Sequence, residues 1–168
     1  MVWIYLLGSI LTYHLLYALY WQCTRPNFRG KRVLITGASS GIGEALAKRM
    51  AELGAVKLWL VSRRKDQLER VAKICQEAAK AAGHKCETGV RTLDLNEKDS
   101  CLNFAKSFPE PIDILINNGG QATYEFFQHS DMSVMDRIMN INFFAGVALI
   151  KGFLPSFLKH AEKGEKPI

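Results

Sequence analysis

The sequence predicts an α/β fold: a doubly wound parallel sheet entered from an apolar N-terminal helix. Three observations predict it. Short apolar runs alternate with helix-length amphipathic segments, which implies crossover connections and parallel strands. A glycine-rich loop joins the first run to the first amphipathic segment. And residues 1–24 contain no Asp, Glu, Lys or Arg.

The amino terminus reads as a transmembrane anchor over residues 1–22, followed by a basic juxtamembrane linker over 23–32. At about 1.5 Å per residue the first 21 residues would span roughly 31 Å, close to the hydrocarbon thickness of a bilayer. Trp3 and Tyr5 sit near one end, and Tyr17, Tyr20 and Trp21 near the other, where interfacial aromatics belong. Arg25, Arg29, Lys31 and Arg32 follow, with no acid before Glu44. The positive-inside rule keeps that end cytosolic, giving a single-pass protein, placed at the endoplasmic reticulum, with its domain facing the cytosol. A cleaved signal peptide is the competing reading. It wants a basic start and small residues at the cut, and this segment has bulky Tyr and Trp there. His14 inside the span reads as a tolerated polar residue.

Charge elsewhere is nearly balanced. The chain carries 22 Lys+Arg against 16 Asp+Glu, and removing the four linker cations leaves 18 against 16. A nucleic-acid binder would spread a basic face over its fold, so nucleic acid is not an expected partner. Cys23, Cys75, Cys86 and Cys101 form no CxxC and have no paired His at metal spacing. No metal site is expected, and a reducing compartment suits them. Cys23, just past the span, is either palmitoylated or a plain juxtamembrane thiol.

Residues 33–168 form an incomplete dinucleotide-binding domain on this reading. Val33–Ile35 is the first strand. Gly41–Leu53 is a helix with Ile42, Ala45, Leu46, Met50 and Leu53 on one side, stopped by Gly54. Leu58–Val61 is the second strand, Asp66–Ala82 the second helix, and Glu87–Leu93 the third strand. Residues 97–108 make a shorter helix, ended by Pro109. Ile112–Ile116 is the fourth strand. Asp131 or Ser133 caps a final helix running through Leu158, bent near Pro155.

The loop Thr36-Gly37-Ala38-Ser39-Ser40-Gly41-Ile42-Gly43 follows a strand and opens a helix, the context that phosphate binding requires. Gly37 permits the tight turn. Gly41 lets the backbone approach a pyrophosphate. Gly43 lets the helix pack close to the sheet. Ser39, Ser40 and Ile42 are expected to line the same site. An NAD site wants an acid at the end of the second strand. Here Ser62 is followed by Arg63 and Arg64. A carboxylate would repel a 2′-phosphate, whereas an arginine fork grips one, so the expected cofactor is NADP.

Thr36-Gly37-(x)3-Gly41-Ile42-Gly43, Asp94 after the third strand and Asn117-Asn118-Gly119-Gly120 after the fourth together resemble the short-chain dehydrogenases/reductases. So do Asn142 in Ile141-Asn142-Phe143-Phe144 and Leu154-Pro155. The resemblance covers residues 31–168. The apolar leader, Ile112–Ile116 and Asn-Asn-Gly-Gly most resemble the dehydrogenase/reductase SDR family member 7 group. The resemblance implies a Rossmann-type sheet in the order 3-2-1-4 and NADP-dependent interconversion of a carbonyl and an alcohol. The apolar leader favours a lipophilic small-molecule substrate and makes membrane lipid a partner. A homodimer stays open for the complete protein. By residue, the resemblance implies that Asp94 and the Leu95 backbone contact adenine. Asn118 and Gly119 lie along the adenosine ribose, Asn117 braces the central strand, and Asn142 is the catalytic asparagine.

The family's chemistry also uses a Ser and a Tyr-x-x-x-Lys pair. No tyrosine among Tyr5, Tyr13, Tyr17, Tyr20 and Tyr124 has a lysine four residues on. The fourth strand would be an open edge, and the final helix is apolar on more than one face, both of which need covering. A fragment or short form is therefore expected. A non-catalytic, membrane-tethered nucleotide-binding module and an inactive truncated product are the alternatives.

Overall fold

In the computed structural model, residues 2–24 and 28–162 are described. The apolar leader is a helix, α1 (Val2–Thr24), with no acid in its first turn and no base in its last. Ile10, Leu11, Leu15 and Leu16 are exposed. The Thr12 hydroxyl donates to the Gly8 carbonyl at 2.8 Å, which satisfies it within the helix. Tyr13 stacks on Tyr17. Arg25 in the linker and the side chain of Cys23 lie outside the described residues.

The domain is a four-stranded parallel sheet in the order β3-β2-β1-β4, as expected from the sequence. The strands are β1 (Arg32–Thr36), β2 (Lys57–Ser62), β3 (Glu87–Thr92) and β4 (Ile114–Ile116). Between them run α2 (Gly41–Glu52), α3 (Lys65–Ala81) and α4 (Lys98–Lys106). Register is set by Leu34 against Trp59 and Leu115, and by Leu58 against Thr88. β1 and β2 bury both faces, which is why they read as continuous apolar runs.

Two cores flank the sheet. On one face Val33, Ile35, Leu58 and Leu60 pack with Ala47, Ala51, Leu68 and Val71 of α2 and α3. On the other, Leu34, Trp59 and Val61 pack with Ala105 of α4 and with Ala145, Leu149 and Phe153 beyond it. The described cysteines Cys75, Cys86 and Cys101 are free and buried. Burial pushes their thiols up, to about 12 for Cys75 and about 11 for the other two, so they serve as core residues and not as nucleophiles.

Two expectations need correction, and one open alternative is decided. The fourth strand begins at Ile114 and not at Ile112, and Asp113 meets the start of β1 both through its backbone N–H, which donates to the Arg32 carbonyl at 2.8 Å, and through its side chain. The Asp113 carboxylate accepts from the Arg32 backbone N at 2.7 Å, from Nε at 3.0 Å and from Nη2 at 2.7 Å. Of the two candidate caps for the last helical stretch, Asp131 is the one used, accepting from the Ser133 N–H at 2.7 Å. That stretch is not one regular helix: α5 (Met132–Met139) passes through a π turn, Asn140–Phe144, into α6 (Ala145–Glu162), which holds Pro155 inside it and runs past Leu158. Met132–Lys159 is apolar and long enough to cross a membrane by length and composition alone. It nevertheless buries Ile141, Ala145, Leu149 and Phe153 within the domain. Its other side leaves Phe143, Phe144, Val147, Ile150, Leu154 and Leu158 exposed.

Candidate functional site

The sheet order reverses between β1 and β4, and a cleft of about 540 Å³ opens there, beyond the carboxyl ends of the strands. The β1–α2 turn forms one wall. Gly37 and Gly41 have φ of +67° and +59°, the left-handed region that glycine occupies without strain. Nothing lies within 4 Å of a Cβ built on Gly41, so the loop is open in front of it. Gly43 serves the opposite purpose. A Cβ there would strike the Gly37 carbonyl and sit 2.6 Å from Asn118 Nδ2.

Ser40 occupies the N-cap of α2 but makes no side-chain cap. Its hydroxyl accepts from Arg64 Nη2 at 2.8 Å, and Ser39 Oγ accepts from the same nitrogen at 3.0 Å. The first turn of α2 thus keeps its N–H groups for a ligand, and the helix adds positive potential there. The Arg64 N–H is held by Ser62 Oγ at 3.2 Å. Arg63 also lines the cleft, exposed, and among the described residues its side chain makes no hydrogen bond or ion pair.

The far wall comes from β3 and β4. Leu93, Asp94 and Leu95 line it, and Asp94 Oδ1 accepts from the Asn96 N–H at 2.9 Å. The Thr36 hydroxyl is the hub between the two walls. It accepts from the Asn118 N–H at 3.1 Å and the Gly119 N–H at 3.0 Å, and lies 3.4 Å from the Ile116 carbonyl. Asn118 Nδ2 donates to the carbonyls of Thr36 at 3.1 Å and Gly37 at 3.5 Å. The brace expected of Asn117 is therefore made by Asn118. Asn117 lies beside α6, its Nδ2 3.7 Å from a Cβ built on Gly146. Gly119 has no room for a side chain, since a Cβ there would strike Leu95 Cδ1.

Asn142, in the π turn, sits behind the cleft lining. Its Oδ1 accepts from the Gln121 N–H and its Nδ2 donates to the Gln121 carbonyl, both at 2.8 Å. Gln121, Arg137 and Ile141 line the cleft and were not singled out as site residues from sequence. Of the residues that were, Gly37, Ser39, Ser40, Ile42, Arg63, Arg64, Asp94, Leu95, Asn118 and Gly119 line it together. Gly41, Gly43 and Asn142 shape it from outside. No group of His, Cys, Asp and Glu suited to a metal ion occurs among the described residues.

A short chain dehydrogenase family model matches residues 31–165. The chain is 41 % identical over 145 residues to a dehydrogenase/reductase SDR family protein 7-like of Anopheles gambiae, covering 84 % of this chain and 45 % of that protein. It is 38 % identical over 140 residues to a fatty acyl-CoA reductase of Acinetobacter baylyi, covering 80 % of the chain and 45 % of that protein. The chain thus spans less than half the length of these relatives. Among solved structures, a metagenomic short-chain oxidoreductase in complex with NADP aligns with a TM-score of 0.68 and 27 % identity, over 80 % of this chain and 59 % of that one. An NADH-dependent reductase complexed with NAD aligns with a TM-score of 0.70 and 26 % identity, over 83 % and 57 %. With its sheet order, its glycine turn and these matches, the chain belongs to the short-chain dehydrogenase/reductase family and, within it, to the dehydrogenase/reductase SDR family member 7 group.

Proposed function

We propose that the complete protein is an NADP-dependent oxidoreductase that interconverts a carbonyl and an alcohol on a lipophilic substrate. The observation that carries this reading is the pairing of the open glycine turn with Arg63, a cation without a side-chain partner among the described residues, directly after Ser62, which holds the position where an NAD site would place an acid. The cleft fits the cofactor. The turn is open in front of Gly41, side chains at Gly37, Gly43 or Gly119 would collide with the cleft walls and push them apart, and both cations of the β2–α3 turn line the cleft.

When bound, the nicotinamide supplies the redox chemistry as hydride transfer. The chain's own residues bind and orient it. The first-turn N–H groups of α2, with Gly41, take the pyrophosphate, and Ser39, Ser40 and Ile42 line its approach. Arg63 answers the 2′-phosphate while Arg64 ties the loop to β2. Asp94 and Leu95 take the adenine, and Asn118 and Gly119 border the adenosine ribose. Asn142 fills the family's asparagine position, with its side chain held by one donated and one accepted bond to Gln121.

We further infer that residues 1–22 anchor the protein as a single span in the endoplasmic reticulum, with 23–32 as the linker and the domain from 33 onward in the cytosol. Exposed apolar side chains on α1 support that reading, and a membrane-held enzyme meets lipophilic substrates readily.

A second reading follows from one feature of the sequence. No tyrosine is paired with a lysine four residues on, and Tyr124 leads to Gln128. The 168-residue chain by itself is then a tethered nucleotide-binding module without turnover. Titration calorimetry with NADP+ and NAD+, beside an NADPH-oxidation assay with a fatty aldehyde, tests both. Saturable binding with at least tenfold preference for NADP+ and no turnover by this chain is expected. Equal affinities remove the NADP reading, and turnover by this chain removes the second.

A further inference from the structure

The three crossover helices deliver their carboxyl ends to the same place. α2, α3 and α4 each end just before the start of a strand, so the starts of the strands and these helix ends form one face, opposite the cleft. The tether arrives at this face too. The Gly30 N–H donates to the Gly54 carbonyl at 2.9 Å, and a Cβ on Gly54 would lie 3.2 Å from Arg29 Cγ and 3.5 Å from His84 Nε2.

The acids at the strand starts are already neutralised by cations of their own face. Glu52 pairs with Arg49 at 2.9 Å and Lys48 at 3.9 Å, Asp113 with Arg32 at 2.7 Å, and Lys57 holds both Glu110 at 2.7 Å and Glu87 at 3.7 Å, four cations for four acids. Lys31, Lys80, Lys85 and Lys106 are then in excess, with Glu77, one turn before Lys80, offsetting one of them. Lys80 and Lys106 sit in last helical turns and complement the helix dipoles. Lys31 and Lys85 lie on no helix, so the dipoles do not explain them.

The covalent geometry says what faces this excess. Residues 25–31 are the only connection between α1 and β1, and seven residues reach at most about 25 Å. If α1 sits in a bilayer, the basic face is held at the headgroups, while the cleft is at the far end of the domain. We propose that this face docks on an anionic lipid surface, with Lys31, Lys80, Lys85 and Lys106 against the headgroups. The proposal rests on α1 being an anchor and deepens that reading by naming the surface and the lipid charge it requires.

The test uses the full chain reconstituted into vesicles and a membrane-impermeant amine-labelling reagent, with each lysine read by mass spectrometry. Phosphatidylserine-containing vesicles should slow labelling of Lys80, Lys85 and Lys106 about fivefold relative to pure phosphatidylcholine, as expected for about 1 kcal/mol per cation. High salt should reverse the effect, and Lys65 at the cleft end should label equally in both. Equal labelling of the three lysines in the two vesicles overturns the proposal, and so does equal slowing at Lys65. Slowing by inorganic phosphate in pure phosphatidylcholine also overturns it, by assigning the site to a free ion. Loss of the chain from the vesicles in an alkaline wash is a separate result, which removes the anchor reading and this proposal with it.

Discussion

The amide of Asn142 and the backbone of Gln121 form a closed two-bond ring, with both hydrogen bonds at 2.8 Å, between residues 21 apart in sequence. This ring ties the π turn to the loop that follows β4, and so fixes the segment of the cleft wall that continues from Gly119 and Gly120. Gln121 engages both ends of the amide, taking one of its two N–H donors and one of the acceptor positions on Oδ1.

Asn142→Asp should separate the two halves of that ring. The carboxylate can still accept from the Gln121 N–H but has no donor for its carbonyl. Each bond is worth about 0.5–1.5 kcal/mol. A stability loss of about 1–2 kcal/mol is expected in urea unfolding, with faster amide exchange at 119–121. Unchanged exchange there would show that the loop is held by other means.

Gly41 and Gly43 should respond differently to alanine. At Gly41 the cost is the left-handed φ alone, about 1–2 kcal/mol, because space in front of it is open. At Gly43 the added methyl meets the Gly37 carbonyl and the Asn118 amide, so α2 must move away from the turn. Gly43→Ala should therefore weaken nucleotide binding by more than tenfold, while Gly41→Ala weakens it less unless the ligand approaches that carbon closely. Calorimetric titration of both variants, with circular dichroism to confirm folding, separates the two. Equal losses would mean that the crowding at Gly43 relaxes freely.

The sheet order, the glycine turn and the arginines after β2 were legible because each is a local pattern. An apolar run, a Gly spacing and a charge at a strand end are all written within a few residues. What escaped was set by distance in sequence. Thr36 looked like the end of a strand, yet its hydroxyl organises Asn118 and Gly119, which arrive from more than 80 residues away. The family resemblance places the brace at Asn117, whereas Asn118 is the one whose side chain reaches the end of β1, a difference that adjacent identical residues do not display in sequence. Arg137 and Ile141 enter the cleft because the π turn and the Asn142 ring set how α5 lies, and no periodicity encodes that. The sequence places the start of β4 two residues early because Ile112 is as buried as a strand residue, so the apolar run extends beyond the paired residues Ile114–Ile116.

Arg63 and Arg64 stand side by side but should not be equivalent. Arg64 already bridges Ser39 and Ser40, so Arg64→Ala should loosen the phosphate turn and weaken NADP+ and NAD+ alike. Arg63 has no such duty. A charge-assisted bond to a 2′-phosphate is worth about 1.5–3 kcal/mol, so Arg63→Ala should cost NADP+ roughly tenfold to a hundredfold in affinity and leave NAD+ unchanged. Parallel losses for both nucleotides would take Arg63 out of the 2′-phosphate site.

Asp113 links the start of β4 to the start of β1, and its ionisation should be visible in the acid limb of stability. Burial pushes its carboxyl up, but hydrogen bonds from the Arg32 side chain and backbone, with the Arg32 charge, outweigh burial and hold it below the ordinary carboxylate value. A carboxyl whose pKa is lower in the folded state binds its proton more readily when unfolded. Its contribution is then fully present above the unfolded pKa and is lost as pH falls through the folded one. Asp113→Asn should remove that part of the acid dependence and cost about 1.5–3 kcal/mol at neutral pH, since the charged partner of three hydrogen bonds is lost. Urea unfolding of the wild-type and variant chains between neutral pH and strongly acidic pH measures it. The two curves should converge as the pH falls, and a constant offset across the whole range would show that the clamp works by shape and not by charge.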